Sequence, residues 1–227
     1  MPRVARRSTV PGMTALTASR TTVPFARVAG VTTIAAAVVG FLGALWLLGV
    51  AMLGTPAVSP DTFSYPLDVA GNAVAQVLFF LNHVGLAVGL VALARGPAAT
   101  RAPGRVGAWI ALASMVVLAI CELWAISYAD ATLSSGATGA LDSWYGLGSI
   151  VVGAGLVVAG IGVARTRYWA GWRRWIVLVT GASLFVVVVP GLAFGFIGGR
   201  VVLAAWMIAW AGVGLALLTG VGRRDSA

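Results

Sequence analysis

Long apolar stretches of the sequence contain several polar side chains, among them Gln76, His83 and Glu122. Glu122 is the only acid well inside an apolar stretch, and His83 is the only histidine of the chain. Gln76 and His83 are seven residues apart and so share one face of a helix, and Asn82 adjoins His83. A charge at the centre of a bilayer costs about 2.5–3.5 kcal/mol on insertion scales, so such residues face the protein interior. We therefore predict one polar seam that contains Gln76, His83 and Glu122, with Asn82 beside it.

Such a seam has two interpretations. In the first, Glu122 binds a proton or a cation and His83 relays the proton, as in a small coupled transporter. In the second, the polar side chains hold helices together, because interhelical polar contacts are common although each contributes only about 0.6 kcal/mol on average. Arg200 is the candidate ion-pair partner of Glu122 in this second interpretation. We prefer the structural role, because a single acid within the spans is too few ionisable groups for a typical ion pathway.

The remaining reactive residues form no catalytic pattern. The single cysteine, Cys121, lies in an apolar stretch with no base motif near it in the sequence, and such surroundings disfavour the reactive thiolate. Cysteine and histidine spacings typical of metal sites are absent, and a single histidine is a poor basis for haem binding. We expect no enzymatic activity, no cofactor and no metal ion.

The composition places these residues in a membrane protein. The chain has 227 residues, of which 60% are hydrophobic and 9% charged, whereas soluble domains average about 45–50% and 25%. A helix needs about 20 apolar residues to cross a bilayer, and continuously apolar stretches favour helices over barrel strands. We predict an all-α bundle of six transmembrane helices, at about residues 28–53, 69–94, 106–128, 143–164, 175–197 and 201–221. Residues 198–200 should form the last turn, and Pro190 should kink the fifth helix.

The arginines predict the orientation. All 15 basic residues are arginine, and all except Arg200 lie in the termini or in the second and fourth predicted connections. Aspartates occupy the opposite loops. The positive-inside rule then places both termini in the cytoplasm, where the arginines would contact anionic lipids rather than nucleic acid.

Three regions follow from this orientation. We predict a disordered, arginine-rich cytoplasmic tail over residues 1–26, with Met13 as an alternative start to Met1. A membrane domain should follow over residues 27–222, and a second short tail over residues 223–227.

Glycines recur at seven-residue intervals in the fourth predicted helix. Seven residues are nearly two helical turns, so each series forms one stripe, and the two stripes face nearly opposite directions. Small residues allow close approach of membrane helices. The fourth helix should therefore lie between two neighbours. One stripe consists of Gly146, Gly153 and Gly160, and the other of Gly148, Gly155 and Gly162.

Four local features carry a resemblance to a known group of proteins. They are the segment Pro60-Asp-Thr-Phe-Ser-Tyr-Pro66, the pair Asn82-His83, the pair Cys121-Glu122 and the turn Gly171-Trp-Arg-Arg-Trp175. Together they resemble six-span integral membrane proteins of high-GC bacteria that have no assigned activity. The resemblance covers most of the chain after about residue 30. It implies six spans in a bacterial cytoplasmic membrane and leaves the function open.

Two functions are compatible with these patterns. The preferred one is a non-enzymatic membrane component that interacts with lipids, with other membrane proteins or with a second copy of itself. The alternative is a small proton-coupled or cation-coupled transporter that uses Glu122, His83 and Gln76.

Overall fold

The computed structural model describes residues 13–220 of the chain, with side chains from residue 24 onward. Its helices are α1 (Met13–Leu53), α2 (Val69–Arg95), α3 (Ala102–Ala125), α4 (Gly136–Thr166), α5 (Arg173–Ser183), α6 (Val189–Leu192) and α7 (Gly195–Thr219). A π-helical turn, Leu184–Val188, joins α5 to α6, so that Arg173–Leu192 forms one span. Six helical segments are long and apolar enough to cross a membrane. The predicted six-span, all-α fold is confirmed.

The first and fourth helices begin earlier than predicted. Helix α1 begins at Met13, inside the predicted disordered tail, and its segment Pro24–Leu53 is long and apolar enough to cross a membrane. Helix α4 begins at Gly136 rather than near residue 143, because the Ser135 hydroxyl accepts a hydrogen bond from the Thr138 backbone N–H and caps the helix there. The predicted tails over residues 1–12 and 223–227 lie outside the described residues.

The predicted turn at residues 198–200 is wrong. The chain turns at residues 193–194, and Gly195, with a φ of 70°, begins α7. Gly198, Gly199 and Arg200 lie within the helix. A positive φ suits glycine because it has no Cβ, but several glycines in this region satisfy that requirement and hydropathy does not distinguish them. Arg200 is therefore placed on a helix rather than in a loop.

A π-helical turn directly precedes Pro190, the residue at which we predict a kink. Proline has no backbone N–H and cannot complete the regular helical hydrogen-bond ladder. Just before it, the Val189 N–H bonds the carbonyl of Leu184, five residues earlier. This widened turn accommodates Pro190 without ending the span.

The six spans form a closed ring. Each span contacts the next one along the chain, and α7 closes the ring by packing along α1. One end of the ring, the loop face, carries the connections 54–68, 126–135 and 193–194. The other end, the terminal face, carries the connections 96–101 and 167–172 and the outer ends of α1 and α7. The arginines of the second and fourth connections thus lie at the terminal face.

Glycines bring α4 close to both of its neighbours. A Cβ at Gly148, Gly155 or Gly162 would meet α3, and a Cβ at Gly153 or Gly160 would meet the span Arg173–Leu192. Backbone atoms are the nearest neighbours at three of these positions: Gly155, Gly160 and Gly162. Helix α4 therefore lies between α3 and α5.

Gly146 does not belong to the packed stripe that we predict. A Cβ at this position would have no neighbour within 4 Å, and the residue is exposed. It lies near the loop-face end of α4, where the span Arg173–Leu192 does not cover it.

Candidate functional site: a polar cluster behind a membrane-facing groove

Glu122 is the centre of a buried polar cluster. It lies near the loop-face end of α3, and only 6% of its surface is exposed. Its Oε2 accepts a hydrogen bond of 2.9 Å from the hydroxyl of Tyr145 on α4. Its Oε1 lies 3.6 Å from Nδ1 of His83 on α2. The carboxyl group thus connects three neighbouring helices.

His83 has one nitrogen engaged and one without a partner. Its Nδ1 lies 2.8 Å from the carbonyl oxygen of Phe79, one helical turn earlier. A carbonyl only accepts hydrogen bonds, so Nδ1 carries the hydrogen in the neutral ring and Nε2 is the acceptor. Among the described residues, none donates a hydrogen bond to Nε2. His83 therefore uses only one of its two ring nitrogens in contacts with the described residues.

Arg200 is an electrostatic neighbour of Glu122 rather than a direct partner. Its guanidinium interacts with the charge of Glu122, but within the described part of the chain the two residues form no ion pair within 4.0 Å. The guanidinium carbon instead lies 5.7 Å from the ring centre of Phe79 and 5.1 Å from that of Phe196. These aromatic faces hold the cation beside the cluster.

Gln76 and Asn82 lie apart from the cluster that we predict for them. Gln76 donates a hydrogen bond to the Asn72 side chain on its own helix. Glu122 contacts His83, which lies seven residues further along α2 than Gln76. Asn82 donates a hydrogen bond of 2.7 Å to the carbonyl of Ala36 on α1. Successive helical residues point about 100° apart, which directs Asn82 to α1 and His83 to α3.

Tyr145 also belongs to the cluster, although it is not among the residues that we predict for it. Its hydroxyl is the hydrogen-bond donor to Glu122. Tyr145 precedes Gly148 by three residues and so shares the face of α4 that packs on α3. Extending the Gly148 stripe by one helical turn would have identified it.

A cap formed by two segments of the loop face covers this cluster. The segments are 55–68 and 129–135. Thr62 and Thr132 form an antiparallel bridge, and the Phe63 N–H bonds the Ala131 carbonyl at 2.9 Å. Below this pairing, Phe63 packs on the apolar cluster of Cys121, Ala125 and Leu141, which Tyr145 also contacts. The cap and Tyr145 thus pack on the same apolar cluster.

Two further polar atoms near the loop face have no hydrogen-bond partner within the described part of the chain. They are the Ser64 hydroxyl in the cap and the Asn72 amide nitrogen in the first turn of α2, and both residues are buried. Among residues 24–220, no three side chains of His, Cys, Asp or Glu lie close enough to share a metal ion. The chemistry that this region offers is hydrogen bonding and charge interaction.

An apolar groove of about 270 Å³ runs between α2 and α3 beside the cluster. Its lining side chains recur at helical spacing on both helices, and Ala87 and Ala119 are small, which leaves room between the helices. Several of the lining side chains are strongly exposed, among them Val84, Val116 and Ile120. His83 is the only polar residue that lines the groove. The lining residues are Phe80, His83, Val84, Ala87, Val88, Val91, Met115, Val116, Ala119 and Ile120.

The groove opens on the perimeter of the ring, where a bilayer surrounds a membrane protein. From Phe80 to Val91 it extends along twelve residues of α2, and the first and last of them lie about 16 Å apart along the helix. This is about half of the 30 Å hydrocarbon core of a bilayer. The groove therefore matches the depth of one leaflet.

Comparison of the chain with models of protein families, with curated proteins and with solved structures gives no match. Function is therefore inferred from the groove and from the cluster behind it.

Proposed function

We propose that this protein is a non-enzymatic membrane component that binds a membrane lipid in the groove between α2 and α3. The observation that carries the proposal is an apolar groove of about 270 Å³ whose one polar lining residue is His83. Ligand sites are concave and mostly apolar, with a few polar groups that orient the ligand. Lipid-facing surfaces without such a recess offer acyl chains no comparable fit.

Retention of lipid through purification tests this proposal. The full chain, purified in mild detergent, should keep about one lipid molecule in native mass spectra. Ala87→Phe should reduce this occupancy at least fivefold, because the added ring fills the groove. Val74→Phe is the matched control, since Val74 is also exposed on α2 but lies outside the groove. Equal lipid occupancy in both variants and the wild type would contradict the proposal.

The arginine distribution supports an orientation with both termini in the cytoplasm of a bacterium. Arg95, Arg101, Arg105, Arg165 and Arg167 are among the arginines of the terminal face, where they would contact anionic lipids. The loop face carries Asp61, Asp68 and Asp130. The resemblance to six-span membrane proteins of high-GC bacteria is part of the same proposal.

Cysteine labelling of intact cells checks the orientation. In a Cys121→Ala background, we expect Ser134→Cys to react with a membrane-impermeant maleimide, because Ser134 is exposed at the loop face. Thr100→Cys, which is exposed at the terminal face, should react only after the cells are permeabilised. The reverse pattern would show that the termini lie outside the cytoplasm.

Proton-coupled or cation-coupled transport is the second candidate function. The observation that favours it is the buried Glu122, which lies between a tyrosine donor and a histidine, because intramembrane acids often bind transported ions. If the protein transports protons, proteoliposomes should dissipate an imposed pH gradient, and Glu122→Gln should abolish this flux. Equal dissipation by wild-type, Glu122→Gln and protein-free vesicles would exclude proton transport and leave the structural role of Glu122.

A further inference from the structure

We infer that the start of α5 binds the phosphate group of an anionic phospholipid through the guanidinium groups of Arg173 and Arg174. This site lies at the terminal face and is separate from the groove between α2 and α3, so it does not rest on the proposed lipid-binding function. It also differs from the general attraction of the terminal-face arginines for an anionic membrane, because protein contacts hold these two arginines in place.

Hydrogen bonds at Nε anchor both guanidinium groups. Arg173 Nε donates to the Thr219 hydroxyl on α7 at 2.9 Å, and Arg174 Nε donates to the Ala164 carbonyl on α4 at 2.8 Å. A guanidinium carries several further N–H donors in a fixed planar fork. Within the described part of the chain, the remaining N–H groups of both arginines donate to no acceptor. Each group is thus anchored through one donor and keeps the others for a ligand.

Tryptophan rings place the two arginines at the level of lipid headgroups. The guanidinium carbon of Arg173 lies 5.5 Å from the ring centre of Trp172, and that of Arg174 lies 4.9 Å from the ring centre of Trp175. Both rings are about half exposed, at the end of a span. Tryptophan concentrates at membrane–water interfaces, and its ring face attracts a cation. The stacked guanidinium groups therefore lie where phospholipid phosphates lie.

Charge complementarity selects an anion for this position. Among residues 24–220, every acidic side chain lies at the loop face or in the loop-face half of α3 or α4, so none lies beside Arg173 or Arg174. The guanidinium fork matches two oxygens of a phosphate, and such charge-assisted contacts are stronger than those between neutral groups. A zwitterionic headgroup adds an ammonium group, which the arginines repel. The site should therefore prefer an anionic phospholipid to a zwitterionic one.

Lipid titration followed by native mass spectrometry tests the inference. The delipidated full chain in mild detergent is titrated with phosphatidylglycerol, or with phosphatidylcholine that has the same acyl chains. We expect phosphatidylglycerol to bind about fivefold to tenfold more tightly, as charge-assisted hydrogen bonds at a half-exposed site predict. Arg173→Gln/Arg174→Gln should abolish most of this preference.

Two further double variants separate geometry from charge. Arg165→Gln/Arg167→Gln is the matched control, because it removes the same charge from exposed positions of the terminal face, and neither side chain contacts an acceptor or a ring among the described residues. It should retain most of the preference. Arg173→Lys/Arg174→Lys keeps the charge but lacks Nε and the planar fork, so it should lose most of the preference. If the glutamine variant at the site does not fold, the lysine variant provides the test.

The other outcomes would overturn the inference in different ways. Equal binding of the two lipids by the wild type would show no selection of an anion, and equal loss of preference in both glutamine variants would show that net charge alone acts. Radiolabelled inorganic phosphate that binds as tightly as phosphatidylglycerol in equilibrium dialysis would identify a soluble anion as the ligand. Loss of the preference in Ala87→Phe would place the anionic lipid in the groove. By contrast, lipid retention that Ala87→Phe does not reduce would contradict only the proposed function.

Discussion

Replacing Gly155 by alanine should destabilise the protein strongly, because α3 and α4 touch through their backbones at this point. A Cβ at Gly155 would lie 2.7 Å from the backbone nitrogen of Ala111 and 2.8 Å from the carbonyl oxygen of Gly107. Backbone atoms cannot move aside as a flexible side chain can, so the two helices must separate. Overpacking of this kind typically costs about 1–3 kcal/mol. Reversible unfolding in mixed micelles measures the difference.

The control for this variant lies on the same helix. Gly146→Ala adds the same methyl group where no atom lies within 4 Å, and we expect its stability to equal that of the wild type or to exceed it by up to about 1 kcal/mol, because alanine favours helix more than glycine does. Comparison of the two variants separates the effect of helix packing on stability from the general effect of replacing a glycine by alanine. Wild-type stability of Gly155→Ala would show that α3 and α4 are not in such close contact.

Removal of the carboxyl group of Glu122 is the second change with a large expected effect. Glu122→Ala would leave the Tyr145 hydroxyl without its acceptor and Arg200 without the nearby negative charge. A buried donor without a partner costs about 1–3 kcal/mol, although hydrogen bonds between membrane helices average about 0.6 kcal/mol and reach about 1.7 kcal/mol. Loss of the charge near Arg200, which is partly buried, adds to this cost. We expect a decrease of about 2–3 kcal/mol in the free energy of unfolding.

Two companion variants divide this loss between its causes. Tyr145→Phe removes only the hydrogen bond and should cost about 0.5–1.5 kcal/mol. Glu122→Gln retains an acceptor for Tyr145 but removes the charge, so its cost reports the interaction with Arg200. In the double variant Glu122→Gln/Arg200→Leu, the two losses should be less than additive. Strict additivity would show that Arg200 and Glu122 do not interact.

The fold was predictable because hydropathy alone determines which segments can span a bilayer. Six apolar stretches correspond to six spans. The positions of the turns were less predictable, since they depend on single residues. Gly195 adopts the positive φ at the last turn, although Gly198 was an equal candidate from the sequence. Ser135 caps α4, so this helix begins before the apolar stretch that predicts it.

The candidate site was predictable only in part. The scarcity of ionisable residues in the spans singles out His83 and Glu122, which the structure brings together. Gln76 and Asn82 lie elsewhere, because the relative height and rotation of two packed helices cannot be obtained from either helix alone. The groove depends on the small side chains of Ala87 and Ala119. Alanine occurs throughout this sequence, so these two positions could not be recognised from the sequence alone.

Photocrosslinking with a lipid tests most directly whether the groove binds a lipid chain. The full chain is reconstituted with a phospholipid that carries a diazirine in the middle of its acyl chain, and the labelled peptides are mapped by mass spectrometry. Exposed residues of α1, such as Val31, Val38 and Leu42, report labelling by bulk lipid. We expect the groove segments 80–91 and 115–120 to be labelled several-fold more than α1, and Ala87→Phe to abolish this excess. Equal labelling of the groove and of α1, unchanged by Ala87→Phe, would contradict a lipid site between α2 and α3.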